Sequence, residues 1–437
     1  MAAHDTIYAL STAPGRAGIA VVRVSGPAAG AALRALAGSV PPPRRARLVR
    51  VRDRAGETID EGLVLYFPAP KSVTGEDVAE FHLHGSRAVL NELFEALSGL
   101  GLRPAEPGEF TRRAFLNGKL DLAAAEGLAD LVNAETAAQR RQALRQLSGE
   151  LGRTTEAWRE QLLQMQAKLD AAIDFPDEDL PPGLWDDARA KAALLARDIA
   201  AFLADGRRGE IVREGVSVAI LGPPNAGKSS LMNALARREV AITAATAGTT
   251  RDVIEVALDL AGFPVLLADT AGLRESADAV EEEGVRRARA RASRADLKVI
   301  VIDATRPEEK SALRDLIDAD AILVANKVDL LPPDAPASEG VALSVKTGAG
   351  MDRLLAALGA AVAARFQPAG AAVVTRARHR AALEDCRAAL VRFGAAALPE
   401  LAAEDLRAAA GALGRITGRV DVEDMLDILF REFCIGK

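Results

Sequence analysis

The chain has 437 residues, a formal net charge of −6, and a composition that is 49% hydrophobic and 4% aromatic. This length predicts two to four domains, and two cysteines exclude a disulfide scaffold and favour a reducing compartment. With no apolar run of membrane-spanning length and no secretory signal pattern, we expect a cytoplasmic protein without a membrane segment.

The first part of the chain, residues 1–118, has a mixed pattern. The β-like runs IAVVRV, EGLVLYF and VAEFHLHG are separated by turns, and AVLNELFEALSGLG has helical spacing. The sequence therefore predicts an N-terminal α+β domain.

Helical patterns dominate the next part, residues 119–210, with a break at Phe175-Pro176. They return in 372–437, as three stretches at 377–394, 399–417 and 421–433. We expect these two flanks to form one discontinuous all-α helical domain, since the ends of a domain often lie close together and tolerate an insertion.

The inserted part, residues 211–371, alternates apolar runs with helical segments. The runs are VSVAIL, PVLLAD, LKVIVID and AILVANK. Such alternation is typical of a parallel sheet with crossover helices, so we predict an α/β domain here.

The segment GPPNAGKSS, residues 222–230, matches the phosphate-loop motif G-x-x-x-x-G-K-[ST]. It follows a predicted strand and precedes a predicted helix, as the motif requires. In such a loop, backbone amides cradle phosphates, Lys228 reaches the outer phosphates and the Ser229 hydroxyl holds Mg²⁺. A single match can arise by chance, so the prediction needs further motifs.

Further motifs follow in the order used by Ras-like GTPases: TAGTTRD (246–252), DTAG (269–272), NKVD (326–329) and SVK (344–346). The Asp329 carboxylate can accept two N–H bonds from guanine, and adenine lacks those donors. The sequence therefore predicts a GTP site in a P-loop GTPase domain. Its predicted residues are Asn225, Ala226, Gly227, Lys228, Ser229, Ser230, Thr249, Thr250, Asp269, Thr270, Ala271, Gly272, Asn326, Lys327, Asp329, Ser344, Val345 and Lys346.

One position departs from the Ras-like pattern. Leu273 follows DTAG, where such enzymes commonly carry the glutamine that orients the attacking water. An arginine, a carboxylate or a cation must replace it. The charged stretch 281–294 is compatible with a solvated helix face, and its Arg-rich part, 286–294, is also compatible with contact to tRNA or a protein partner.

Over essentially its full length, the sequence resembles the MnmE (TrmE) family of tRNA-modification GTPases. The resemblance lies in TIYALSTAPGRAGIAVVRVSG, SVTGEDVAEFHLHG, PGEFTRRAFLNGKLDLAAAEGLADLV, AAIDFPDED and the terminal FCIGK.

The resemblance implies a potassium-activated GTPase that forms a homodimer through its N-terminal domain and a heterotetramer with the flavoprotein MnmG. Together they would add an aminomethyl or carboxymethylaminomethyl group to C5 of the wobble uridine of certain tRNAs. The carbon would come from a tetrahydrofolate derivative, 5-formyl- or methylene-tetrahydrofolate.

The family's folate contacts map onto Arg23, Glu80, Lys119 and Lys437. A carboxylate such as Glu80 suits the amino-pyrimidinone edge of a pterin, and cations suit a carboxylate tail. Because an unpaired Arg23 inside an apolar run would be costly, an internal pair with Glu80 is the alternative.

The family's metal sites map onto the GTPase motifs. Ser229 and Thr250 would serve Mg²⁺, and Glu281 would orient water in place of the missing glutamine. The K⁺ ligands would come from Asn225, Ala244, Thr246 and Thr249.

The two cysteines have different interpretations. Cys386 lies in a helical pattern and is expected to be a buried hydrophobe. Cys434 fits the prenylation outline poorly, because a terminal lysine is not a usual acceptor. If Lys437 contacts folate, Cys434 stands near the reactive carbon, and a catalytic and a structural role both remain open.

The alternative function is a ribosome-assembly or regulatory switch GTPase without modifying chemistry. Such proteins often carry a KH domain, and GALG at 411–414 matches its G-x-x-G loop literally, but in a continuously helical pattern. A scaffold that uses GTP only to change shape is a third possibility.

Overall fold

A computed structural model describes residues 5–175, 183–204, 207–238, 240–242, 255–269, 295–332, 338–366 and 374–420, with Leu429, Phe433 and Gly436. The chain divides into two compact units. The first comprises Met1–Ala129, Gln146–Ala196 and Ala382–Lys437, and the second comprises Asp130–Arg145 and Arg197–Ala381. The boundaries 1–118, 119–210 with 372–437, and 211–371 stay a prediction.

The first unit contains a six-stranded sheet in the order β3-β4-β5-β2-β1-β6. Neighbouring strands are antiparallel except β1 and β6, which are parallel. The strands are β1 (Ile7–Leu10), β2 (Ala17–Ser25), β3 (Arg47–Arg52), β4 (Thr58–Phe67), β5 (Val78–Gly85) and β6 (Arg103–Pro104).

Helices α1 (Ala29–Ala37) and α2 (Arg87–Gly99) pack on one face of this sheet. Side chains alternate across a strand, so Val22 and Val24 enter the core while Arg23 faces the other side. On that other side, Phe110 of α3 (Glu109–Leu116) packs against Ile7 and Ala9. The predicted α+β character of the N-terminal part is confirmed.

The helical elements of the chain come from both sides of the insertion. Within the first unit, α6 (Glu150–Asp174) packs along α12 (Pro399–Thr417), confirming a discontinuous all-α domain. Four further helices each contain residues of both units: α4 (Leu122–Val132), α5 (Ala137–Leu147), α7 (Leu184–Leu203) and α11 (Ala377–Ala395).

The bounds of these helices bear on three features predicted from the sequence. Helix α6 ends at Asp174, next to the predicted break. Gly411 and Gly414 lie inside α12, so GALG is not the exposed loop that a KH domain needs. The predicted helix 421–433 lies mostly outside the described residues.

Cys386 is fully buried in α11, as expected. Burial, and secondarily the charge of Asp385, raises the pKa of its thiol to about 12. This thiol is therefore protonated at physiological pH and unreactive in the folded state.

The second unit contains a six-stranded sheet in the order β12-β11-β10-β7-β9-β8. All neighbours are parallel except β8 and β9. The strands are β7 (Val216–Leu221), β8 (Glu255–Leu260), β9 (Phe263–Asp269), β10 (Leu297–Asp303), β11 (Ala321–Asn326) and β12 (Val341–Ala342).

The central strands of this sheet coincide with the apolar runs of the sequence because both faces of a parallel sheet are covered. The helices of this part are α8 (Arg208–Glu214), α9 (Lys228–Ala236) and α10 (Met351–Phe366), with 3₁₀ segments at Pro307–Leu316 and Val328–Leu330. The predicted α/β P-loop domain is confirmed. Ligands of such sheets bind at the carboxyl ends of the strands.

Among the described helices, none combines the length and apolar composition that crossing a bilayer would require.

Candidate functional site

The phosphate loop joins the end of β7 to the start of α9. Asn225 is exposed and has a left-handed backbone with φ of 63°. Lys228 is the first residue of α9, and its Nζ donates to the carbonyl oxygens of Gly222 at 2.9 Å and Pro223 at 2.8 Å. The ammonium therefore folds back over the loop, and the α9 N-terminus is oriented to favour an anion.

Gly227 closes the loop against the predicted guanine motif. Its φ is 99°, and a Cβ at this position would lie 2.3 Å from Nδ2 of Asn326. Only glycine combines this backbone with this close approach.

Both polar atoms of the Asn326 side chain form hydrogen bonds inside the protein. Its Nδ2 donates to the carbonyl of Ala226 at 2.8 Å, and its Oδ1 accepts from the backbone N–H of Val345 at 3.2 Å. Asn326 is 3% exposed, so it ties three loops together. The sequence placed Asn326 among the GTP-binding residues of the NKVD motif. Its hydrogen bonds show that it also holds the loop of that motif, residues 326–329 (the guanine loop), in place.

Lys327 and Asp329 are the other two residues of the NKVD motif that were predicted to bind the nucleotide. Asp329 is exposed in the 3₁₀ segment Val328–Leu330, where its carboxylate is open to a ligand. Ser344 is fully buried, whereas Lys346 is exposed. The backbone N–H of Val328 donates to Leu343, which joins the NKVD and SVK segments.

Lys327 is held by a residue that the sequence interpretation missed. Its Nζ donates to Oδ2 of Asp303 at 2.7 Å. Burial opposes ionisation of this carboxyl, but hydrogen bonds from Lys327 and Thr305 outweigh it and lower the pKa of Asp303. The sequence shows only that Asp303 ends the apolar run LKVIVID; its pairing in register with Asn326 is visible in the structure alone.

Asp269, the first residue of the predicted DTAG motif, is the last residue of β9. Its backbone pairs with Ile220 at the carboxyl ends of β9 and β7, beside the phosphate loop. With the exposed Ser229 at the start of α9, this places one acidic and one hydroxyl residue at the same sheet edge. Oxygen ligands of this kind fit Mg²⁺ alongside a phosphate.

The described residues contain no group of three or more His, Cys, Asp or Glu side chains arranged to hold a metal. A Mg²⁺ ion that accompanies a nucleotide usually has few protein ligands and is bound largely by the phosphates. The other predicted site residues of this domain lie outside the described residues: Ala244, Thr246, Thr249, Thr250, Thr270, Ala271, Gly272 and Glu281.

A second cluster lies on the first unit's sheet, where Arg23 and Glu80 are register partners. Arg23 donates from Nε at 3.1 Å and Nη2 at 3.0 Å to Oε1 of Glu80, and His82 Nε2 lies 3.1 Å from Oε2. The hydrogen bond with His82, and then the Arg23 charge, lower the pKa of Glu80 against burial. The internal pair considered from the sequence is present, and His82 was not foreseen.

The remaining folate candidates are only partly described. Lys119 Nζ donates to the carbonyl of Pro70 at 3.1 Å and does not contact the Arg23–Glu80 pair. Lys437 and Cys434 lie outside the described residues.

Gly436 lies between Cys434 and Lys437 in the sequence, and its carbonyl oxygen accepts a hydrogen bond from the Ser11 hydroxyl at 3.0 Å. A Cβ on Gly436 would lie 2.0 Å from the Leu10 carbonyl oxygen. This part of the chain end therefore packs against the end of β1.

The sheet order and the loops at its carboxyl edge define a guanine-nucleotide-binding protein of the P-loop class. Residues 122–434 match the family described as the MnmE helical domain, and residues 6–119 match the GTP-binding protein TrmE N-terminus. The chain belongs to the family of tRNA modification GTPases called MnmE.

Full-length relatives agree with this assignment. The tRNA modification GTPase MnmE of Paramagnetospirillum magneticum is 58% identical, covering 99% of this chain and 100% of the relative. The protein of the same name from Parvibaculum lavamentivorans is 57% identical, covering 99% of this chain and 100% of the relative. That from Rhodospirillum rubrum is 54% identical, covering 99% of each.

Proposed function

We propose that this chain hydrolyses GTP and, with the flavoprotein MnmG, modifies C5 of the wobble uridine of certain tRNAs in the cytoplasm. The observation that carries the GTP part is the Asn326 amide, which joins the phosphate loop to the guanine loop. Membership of a full-length family of tRNA modification GTPases supports the tRNA part.

In GTP hydrolysis, this chain's residues bind the nucleotide and orient the attacking water. The loop amides and Lys228 hold the phosphates, and Asp329 accepts the two guanine N–H groups. Ser229 and Thr250 would hold Mg²⁺, which supplies charge neutralisation at the phosphates. Glu281 would orient the water that Leu273 cannot.

Asn225, with the backbone of Ala244 and Thr246 and with Thr249, would hold K⁺ near the phosphates. The exposed, left-handed Asn225 supports this role, because such a position leaves its side-chain oxygen available to an ion. The K⁺ charge would stabilise the charge that develops between the β- and γ-phosphates.

The one-carbon part of the proposal involves the N-terminal sheet. Arg23, Glu80, Lys119 and Lys437 would bind a tetrahydrofolate derivative, and the domain would pair with that of a second copy. The packing of Gly436 on β1 supports drawing the chain end toward this sheet. Cys434 would then lie near the carbon donor, either as a nucleophile or as a positioning group.

Mass spectrometry of tRNA nucleosides tests the whole proposal. A strain deleted for its own MnmE would be complemented with this gene or with its Lys228→Ala variant. We expect the modified wobble uridine to return with the wild-type gene and not with the variant. No restoration by the well-expressed wild-type protein would reject the proposed function in favour of a switch GTPase.

A further inference from the structure

The carboxylate of Asp303 lies at the carboxyl end of β10, outside every predicted nucleotide motif. Both its oxygens are used. Oδ2 accepts from Lys327 Nζ at 2.7 Å, and Oδ1 accepts from the backbone N–H of Thr305 at 3.0 Å and its hydroxyl at 2.7 Å. With 11% of its side chain exposed, Asp303 is a fixed, buried anchor for one cation.

The bond to Asp303 determines where the rest of Lys327 lies. The Lys327 backbone is left-handed, with φ of 66°, at the turn that leads into Asp329. A lysine side chain has an apolar four-carbon stem, which is mobile unless its ammonium is held. Because Asp303 holds the ammonium, the carbon stem of Lys327 is fixed in one direction. Lys327 is two residues before Asp329, whose carboxylate is proposed to bind the guanine base.

We propose that Asp303 is a positioning residue for the nucleobase: it holds Lys327 so that the lysine stem forms a preordered apolar surface for one face of the purine. The ligand class is a guanine nucleotide, so this inference rests on the proposed GTP site. Without Asp303, binding would have to order the Lys327 side chain, which weakens affinity through lost rotamer freedom.

The test measures GDP affinity by calorimetry for wild type, Asp303→Asn, Lys327→Met and the double variant. We expect Asp303→Asn to weaken GDP binding about tenfold, a loss that corresponds to about 1.4 kcal/mol. In the Lys327→Met background the same change should cost less than about twofold, because Asp303 acts only through the ammonium.

Two further measurements separate positioning from general damage. Inosine diphosphate lacks the 2-amino group that donates a hydrogen bond to Asp329. Because Asp303 acts on Lys327 and not on this hydrogen bond, the ratio of the affinities for inosine diphosphate and GDP should be the same in wild type and Asp303→Asn. At saturating GTP, kcat should be unchanged while KM rises.

Asp318→Asn is the matched control. It breaks a Lys–Asp pair at Lys298, on the same strand but at the end opposite the nucleotide loops, and should leave GDP affinity unchanged.

Equal losses from Asp303→Asn in both backgrounds would overturn the inference and assign Asp303 to the fold alone. Unchanged affinity in Asp303→Asn would also overturn it. Failure of the wild-type protein to bind GDP would instead reject the proposed GTP site, so the two failures are distinguishable.

Discussion

Asn326 donates from its side-chain amide to the carbonyl of Ala226 at 2.8 Å, across 100 residues of sequence. The phosphate loop and the guanine loop are therefore one bonded assembly. Because the same amide also accepts from the backbone N–H of Val345, one side chain links the phosphate loop to both the NKVD and SVK segments.

Gly227→Ala should disrupt this assembly. The left-handed backbone alone costs about 1–3 kcal/mol for a non-glycine residue, and the new Cβ would push Asn326 away. We expect a lower melting temperature and GDP affinity reduced about tenfold or more. Gly359→Ala, in open space on α10, is the control and should retain both properties; a Gly227→Ala protein matching it would contradict this account.

The Cys386 thiol should be unreactive in the folded protein. With a pKa of about 12, Cys386 is almost entirely protonated at pH 8, and it is also buried. We expect a Cys434→Ser protein to show no reaction with a chromogenic disulfide until denaturant is added, and then one thiol per chain. Rapid reaction of the native variant would mean that α11 opens readily.

Glu80 should make stability depend on pH. Its pKa is lowered on folding, chiefly by the hydrogen bond with His82, so its contribution is present above the unfolded value of about 4.3 and is lost as pH falls through the folded value. Glu80→Gln should lose about 1.5–3 kcal/mol at pH 7, measured by urea unfolding. The difference from wild type should shrink below about pH 4.

The control is Glu61→Gln, which breaks the exposed pair with Arg50. Exposed pairs contribute about 0–1 kcal/mol, so little change is expected. Equal losses from the two variants at pH 7 would argue against a special role for the Arg23–Glu80–His82 cluster.

Potassium should accelerate GTP turnover. With leucine at position 273, a cation held by Asn225 is proposed to supply the missing charge. We expect turnover to rise about tenfold or more when K⁺ replaces Na⁺ at equal ionic strength, with Rb⁺ active and Li⁺ inactive. Asn225→Ala should lose the response and still bind GTP.

Asn233→Ala, on the exposed side of α9, should keep the potassium response. Equal rates in NaCl and KCl would contradict the potassium proposal and favour an arginine, such as Arg251 or Arg274, as the source of the positive charge.

The sequence predicted most of the fold because its signals are local. The central strands of the second sheet are unbroken apolar runs, and the nucleotide motifs sit at their carboxyl ends. Contacts between distant side chains were less accessible. Nothing in NKVD indicates that the Asn326 side chain donates to the carbonyl of Ala226, and nothing in LKVIVID indicates that Asp303 accepts from Lys327. Both hydrogen bonds depend on strand register.

In the N-terminal sheet, the Arg23–Glu80 pair was foreseen as an alternative because a charge within an apolar run needs a partner. The involvement of His82 follows from strand alternation, which places it on the same face as Glu80. The sequence alone did not indicate that His82 would contact it rather than solvent.

Asp329→Asn should change which base is bound. An asparagine can donate to the C2 carbonyl of xanthine, whereas it cannot accept both guanine N–H groups. We expect affinity for GDP to fall about a hundredfold or more and affinity for xanthosine diphosphate to rise, both measured by calorimetry.

The same variant gives the most direct test that guanine-nucleotide hydrolysis at this site drives tRNA modification. The measurement is the rate of wobble-uridine modification by the purified protein with MnmG, supplied with GTP or XTP. The account predicts that wild type works with GTP and not with XTP, and that Asp329→Asn shows the reverse preference. Modification by Asp329→Asn at the wild-type rate with GTP, or by either protein without nucleotide, would contradict it.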